Sequence, residues 1–294
     1  MTSPAAEFHY RLPGSVGGLR PGAHAGRSLG TGLAFAAHRR LFDHPDPRRL
    51  DLRASLRDPG GEWLVRIQRQ RAAVVVQAVV DVSASMRFGS ARPKLHVVAD
   101  LIEALGHSAF RSGDALGLLA CDDAPRDDLQ VSPRHSRGAG LAMADALRRV
   151  AAEPAAADAH ASERGARALA TQLGRLAGRE GLVFVVSDFH GPLDHLGPAL
   201  ARLAPACVVP LVVWDPAEVE PPEARALLAV SDAETGERRT LWLRDRLRQQ
   251  WRDAVAERRA TLKALFAAHG LAPFHLQGFF DPEALTRHFL EAVA

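Results

Sequence analysis

Asp81, Ser83 and Ser85 follow one another at intervals of two residues. In an extended or gently turning segment that spacing aims alternate side chains the same way, so one carboxylate and two hydroxyls can converge on a single hard cation. About a hundred residues later, Ser187-Asp188 closes the apolar run Val183-Phe184-Val185-Val186 in the same manner. Mg²⁺ prefers near-octahedral oxygen ligation and keeps several waters, so two carboxylates and two hydroxyls suit it without a full protein cage. The chemistry read from Asp81, Ser83, Ser85 and Asp188 is therefore that of a divalent metal site, Mg²⁺ first and Mn²⁺ or Ca²⁺ as alternatives.

Other residue types give weaker patterns. Thirteen histidines are present, but His107, His135, His160, His190 and His195 show no zinc-ligand spacing. His190 and His195 flank the Asp188 loop. Asp122-Asp123 reads as a loop cap after an apolar run, with a place near the metal edge as the alternative, and Gly30-x-Gly32 is not a phosphate loop because no Gly-Lys-Ser/Thr follows it. Cys121 and Cys207 lie in or beside apolar runs and read as reduced core residues.

For the two aspartates to meet, the runs that precede them must be neighbouring parallel strands that end at one sheet edge. The pattern from Ala72 onward fits that demand, because short apolar runs alternate with longer helical periodicities. Strands are expected over 73–81, 115–121, 182–187, 206–213 and 271–277, with a short edge strand near 129–131. Helices are expected over 94–111, 141–150, within 154–178, and over 193–203 and 243–269. Pro282 is placed to open a terminal helix. Asp232 to Glu237, between two short apolar stretches, reads as the turn of a β-hairpin inserted at about 224–243. Residues 1–70 are rich in Pro and Gly turn signals and read as an irregular segment packing on a main domain of residues 71–294, with Trp63 to Ile67 alternating well enough for a strand.

Composition narrows the class. The chain has 294 residues, 47% hydrophobic and 24% charged, which is ordinary for a globular protein with a sizeable core. Net charge is +3, and lysine occurs only at Lys94 and Lys263. Positive charge spread this evenly, without interleaved aromatics, argues against nucleic acid as a partner. No stretch approaches the roughly 20 apolar residues of a membrane span and the N-terminus lacks a signal-peptide pattern, so a cytoplasmic location is expected.

The Asp81-x-Ser83-x-Ser85 motif, the Gly113-Asp114-Ala115-Leu116-Gly117-Leu118 strand and the distal Val186-Ser187-Asp188 together resemble the von Willebrand factor A domain and its metal-ion-dependent adhesion site. Gly30-Thr31-Gly32, Asp46, Arg48, Asp51, Arg57, Asp215-Pro216-Ala217-Glu218 and the Asp232 to Gly236 turn resemble the bacterial MxaS-like branch of that group. The resemblance implies a Rossmann-like α/β fold, with a mostly parallel central sheet and helices on both faces. It also implies direct ligation by Ser83 and Ser85, and ligation by Asp81 and Asp188 directly or through water. A further hydroxyl would come from the loop before the third helix, where the usual threonine is missing and Ser136 or Ser132 is the available replacement. The implied role is non-enzymatic: a partner or adaptor of a MoxR-type AAA+ ATPase acting on a client protein, as in methanol dehydrogenase maturation, with a partner carboxylate completing the metal.

Two rival functions start from the same residues. A phosphoesterase with Asp81 as nucleophile would need an acid two positions on, where Ser83 stands. A nucleic-acid-binding A-type domain would need the clustered charge that is lacking.

Overall fold

In a computed structural model of the chain, residues 7–17, 20–30, 32, 34–154, 158, 160–222 and 227–291 are described. The elements in chain order are β1 (His24–Gly30), β2 (Ala34–Arg40), α1 (Leu52–Ser55), β3 (Leu64–Ala72), β4 (Val75–Asp81), α2 (Lys94–Ser112) and β5 (Ala115–Cys121). They continue with β6 (Val131–Arg134), α3 (Ala139–Ala151), α4 (Ala161–Gly174), β7 (Leu182–Ser187), α5 (Leu196–Ala201), β8 (Cys207–Trp214) and α6 (Pro216–Val219). The last are β9 (Leu227–Ser231), β10 (Arg238–Trp242), α7 (Asp245–Ala268), β11 (Phe274–Gln277) and α8 (Pro282–Glu291).

Strands β11, β8, β7, β4, β5 and β6 form one sheet in that order. The first five are mutually parallel and β6 runs antiparallel to β5 at the edge. This is an α/β architecture with a mostly parallel central sheet. The central strands are buried on both faces, which is why they read as continuous apolar runs rather than alternating ones. Val76, Ala78 and Val80 of β4 join one apolar cluster with α2, α3 and α8, while Val79 joins a second with α4, α5 and α7. Helices therefore cover both faces of the sheet.

Two glycines let the first helical layer close. A Cβ on Gly106 of α2 would lie 2.3 Å from the Cα of Gly140 in α3, so the helices cross at bare backbone. Gly113 ends α2 in the left-handed conformation, with φ of 82°, and its amide closes back on Ala109 and Phe110 carbonyls.

The N-terminal part is more regular than expected: the strand expected near Trp63 to Ile67 is present as β3, and two further strands flank it. β1, β3 and β2 form a three-stranded antiparallel sheet, in which Val65 and Ile67 point inward while alternate residues are polar. Ahead of that sheet, Phe8 and Tyr10 are buried against the same cluster as α2 and α8. The expected hairpin is present as β9 and β10, paired antiparallel from Ser231 with Arg238 to Leu227 with Trp242. The first residues of the expected insertion, with Thr31 and Leu33 of the Gly30-Thr31-Gly32-Leu33 pattern, lie outside the described residues.

Candidate metal centre

Because β4 and β7 are parallel neighbours, pairing Val76 with Leu182 through Val80 with Val186, their carboxyl ends stop side by side. Asp81 and Asp188 thus reach the same edge of the sheet, the usual ligand crevice of open α/β folds. The Ser187 hydroxyl donates to Asp81 Oδ2 at 2.7 Å, and the Ser83 amide donates to Oδ1 at 2.9 Å. The turn after Asp81 brings the Ser83 and Ser85 hydroxyls into a hydrogen bond with each other, their oxygens 3.2 Å apart. Oxygens on adjacent corners of an octahedral Mg²⁺, each roughly 2.1 Å from the ion, stand about 3 Å from one another. The two hydroxyls are spaced for that ion, and with Asp81, Ser187 and Asp188 they line a cavity of about 470 Å³.

Electrostatics supply a second test of fit. Burial, reinforced by the charge of Asp188, pushes the Asp81 carboxyl up to about 6 against the hydrogen bonds from Ser187 and Ser83. Burial would raise Asp188 as well, but the charges of Lys94 and His190 and the hydrogen bonds from them hold it below the ordinary carboxylate range. The described lining contains Asp81, Asp188, Glu218, Asp232 and Glu234 and neither lysine nor arginine. Oxygen donors in a carboxylate-rich cavity suit a hard divalent cation, which would hold Asp81 ionised.

Lys94 stands behind this cavity as an internal cation. It is 2% exposed in the first turn of α2, and its Nζ donates to Asp188 Oδ2 at 2.8 Å and Glu218 Oε1 at 2.7 Å. Burial alone would lower its pKa, but the two carboxylates raise it, so the ammonium persists. Glu218 is fixed by the capping box of α6: its Oε2 accepts from the Asp215 amide while Asp215 Oδ1 accepts from the Ala217 amide. Asp188, His190 and Glu218 together form a group able to hold a metal ion, with one ligand atom of each within 4.8 Å of the others. The Lys94 ammonium already neutralises part of that group, whereas the Asp81 oxygens accept only from neutral donors, the Ser187 hydroxyl and the Ser83 amide.

The turn bearing Asp188 is itself constrained. Phe189 adopts φ of 51°, a left-handed conformation that costs a bulky residue on the order of 1–3 kcal/mol. Its ring is buried edge-on against Phe266, its amide donates to Ser187 Oγ, and its carbonyl accepts from the Arg258 guanidinium. Trp214 Nε1 donates to the Asp188 carbonyl at 2.8 Å. The turn is held from α7 and β8 at once.

The inserted hairpin also reaches the cavity. Glu234, in the turn between β9 and β10, accepts a hydrogen bond from the Ser85 amide through Oε1 at 3.0 Å. Thr235 of the same turn lines the cavity too.

Four of the five residues expected to ligate, Asp81, Ser83, Ser85 and Asp188, meet at this cavity. Ser136 does not. Because β6 runs antiparallel to β5, Arg134 pairs with Leu116 near the start of β5, and His135 hydrogen-bonds the Asp114 carbonyl at 3.0 Å. The chain has therefore carried Ser136 to the amino edge of the sheet, and Ser132 on β6 is not in the cavity lining either. Asp122 caps its own loop through the Ala124 amide, as expected. Sequence reasoning passed over Lys94, Ser187, Glu218 and Glu234 as members of the site. Lys94 carried a signal, being one of two lysines in a chain otherwise basic through arginine.

A family model described as protein of unknown function DUF58 matches residues 42–261. The chain belongs to the DUF58 family. Uncharacterized proteins of Mycobacterium bovis and Mycobacterium tuberculosis are each 30% identical to it over 245 residues, covering 83% of this chain and 74% of theirs. An uncharacterized protein in the moxR 3′ region of Paracoccus denitrificans is 33% identical over 95 residues, or 32% of this DUF58 chain and 90% of that protein. Among solved structures, an aerotolerance-related membrane protein from Bacteroides fragilis aligns with a TM-score of 0.44 at 13% identity, over 75% of this chain and 98% of that one. A von Willebrand factor type A protein from Catenulispora acidiphila aligns at 0.36 and 15% identity, over 77% and 43%. Among the described residues of the present chain, no helix is long and apolar enough to cross a membrane.

Proposed function

We propose that this DUF58 chain is a non-enzymatic interaction module of the MxaS-like, von Willebrand factor A type, which docks a MoxR-type AAA+ ATPase or its client through a divalent cation. One observation carries the reading: Asp81, Ser83 and Ser85, from one strand end, and Asp188, from the next, line a single carboxylate-rich cavity with the serine hydroxyls spaced for adjacent corners of an octahedral ion. The relative in a moxR 3′ region supports the choice of partner. Asp81, Ser83 and Ser85 would hold the divalent cation, with Asp188 kept beside them by the Lys94 ammonium, and the cation would supply a Lewis-acidic site for an acidic group of the partner. Ser187 keeps the Asp81 carboxylate oriented. Client maturation, such as metal or cofactor insertion into an enzyme of the methanol dehydrogenase kind, is the task such a bridge would serve.

A phosphoesterase is the weaker reading. The residue two positions after Asp81 is Ser83, which supplies no acid at the place where such an enzyme protonates the leaving group.

The test is capture of the MoxR-type ATPase of the same genome by immobilised full-length chain. Capture in Mg²⁺ should fall at least tenfold with a chelator, and equally in Asp81→Ala and in Ser83→Ala/Ser85→Ala whose circular dichroism matches wild type. Capture indifferent to chelator and to both variants would overturn the metal bridge. Mg²⁺-dependent turnover of p-nitrophenyl phosphate that is lost in Asp81→Asn would overturn the non-enzymatic assignment.

A further inference from the structure

The β9–β10 hairpin presents one acidic side chain to the candidate metal centre, and the fold explains how that side chain is aimed. β9 and β10 pair only with each other among the described strands and do not join the central sheet. Their turn is internally fixed: Asp232 Oδ1 accepts from the Glu234 and Thr235 amides at 2.8 and 2.9 Å, and the Asp232 amide donates to the Glu237 carbonyl at 2.8 Å. Gly236, at φ of 71°, turns the chain and donates to the Asp232 carbonyl. Glu234 projects from this rigid turn.

Two hydrogen bonds tie the turn to the body beside the cavity. Glu234 Oε1 accepts from the Ser85 amide at 3.0 Å, and the Glu234 carbonyl accepts from the Asp158 amide at 2.9 Å just ahead of α4. The carboxylate therefore sits on the backbone of the very residue whose hydroxyl faces Ser83. Its surroundings are acidic: Asp81, Asp188 and Glu218 line the same cavity, and the one buried ammonium, Lys94, is engaged by Asp188 and Glu218. A divalent cation held by Asp81 would attract the Glu234 carboxylate, which lines the same cavity.

We propose that Glu234 is a further ligand of the metal centre, so that the hairpin is a latch which a divalent cation holds closed over the cavity. The inference rests on the metal reading above and adds to it the residue that competes for the metal's outward position. A docking partner then brings an acidic group that displaces Glu234, and release of the hairpin accompanies docking. The turn is suited to this because it keeps its own shape through Asp232 whether or not Glu234 is engaged.

The experiment uses the full chain and Mn²⁺ alone as the probe, with calorimetric titration and hydrogen–deuterium exchange of the 227–242 segment. Wild type should bind Mn²⁺, and the metal should slow exchange in the hairpin at least fivefold. Glu234→Gln, a substitution in a surface turn that keeps the shape of the side chain, should bind Mn²⁺ about tenfold more weakly and lose the metal-dependent protection. Glu237→Gln, in the same hairpin but outside the cavity lining, should behave as wild type. If wild type binds Mn²⁺ but Glu234→Gln binds it equally well with the same exchange pattern, the latch is wrong and the metal site stands. If wild type binds no Mn²⁺, the metal reading falls and takes the latch with it.

Discussion

At the scale of single residues, the candidate centre sets two carboxylates against one ammonium and leaves a third carboxylate, Asp81, to a cation that must come from outside. Asp81 holds its proton more tightly in the folded chain, near pH 6, than at its ordinary 3.8. Between those values the native state binds the extra proton, so stability falls as pH rises through the window and stays reduced above it. In chelator, Asp81→Asn should therefore be more stable than wild type at pH 8, by about 1–3 kcal/mol, and the gain should vanish by pH 4. Urea titrations at the two pH values check it, and a variant less stable than wild type at pH 8 would show that the Asp81 charge is compensated within the fold. Lys94 makes the complementary case. Its ammonium and the Asp188 carboxylate are both almost fully buried, and removing one partner of such a pair leaves an uncompensated charge that costs about 3–5 kcal/mol. Lys94→Met should lose that much in urea unfolding at pH 7.5. Added Mn²⁺ should recover more stability in the variant than in wild type, because it then supplies the missing positive charge. A loss under about 1 kcal/mol would show that Asp188 simply takes up a proton.

At the scale of elements, legibility followed burial. β4, β5, β7 and β8 are buried on both faces, so each is a dense apolar run bounded by turn residues, and their ends fell within about two residues of expectation. Asp81 and Asp188 were legible for the same reason, since each interrupts such a run abruptly. β1 was not. His24–Gly30 contains two glycines and an arginine and is held by pairing with β3, a long-range contact that leaves no local pattern. Ser136 was misplaced because a sequence does not tell which way an edge strand runs, and the antiparallel β6 moved it to the wrong end of the sheet. Lys94 and Glu218 were hidden by tertiary context: a lysine opening a helix reads as solvated surface, and only the fold brings Asp188 and Glu218 against its ammonium. Glu234 lay within a recognised hairpin turn, but nothing local says which neighbour a turn will touch.

At the scale of the whole molecule, the sheet has two working edges. The carboxyl edge carries the candidate centre, and the amino edge carries the joint with the N-terminal segment. There Asp114 is 1% exposed. Its Oδ2 accepts from the Tyr10 hydroxyl at 2.5 Å and pairs with His24 Nε2 at 2.8 Å, while Oδ1 accepts from the Val74 amide. Burial, with the charge and hydrogen bond of Asp114 added, pushes the Tyr10 phenol far above its ordinary range, so it remains a donor at any working pH. Phe8 packs edge-on against Phe184 of β7 beneath. Tyr10→Phe keeps the ring and removes one donor from a buried carboxylate, a change worth about 1–3 kcal/mol. The variant should therefore melt several degrees below wild type. Its Mn²⁺ affinity should stay within twofold of wild type, because the lost hydrogen bond lies at the far end of β5 and touches none of Asp81, Ser83, Ser85 or Glu234. A melting temperature lowered together with a tenfold loss of metal affinity would mean that the N-terminal segment and the metal centre are energetically one unit. In that case the antiparallel sheet of residues 24–72 would have to be counted as part of the docking machinery rather than as the cover of its opposite edge.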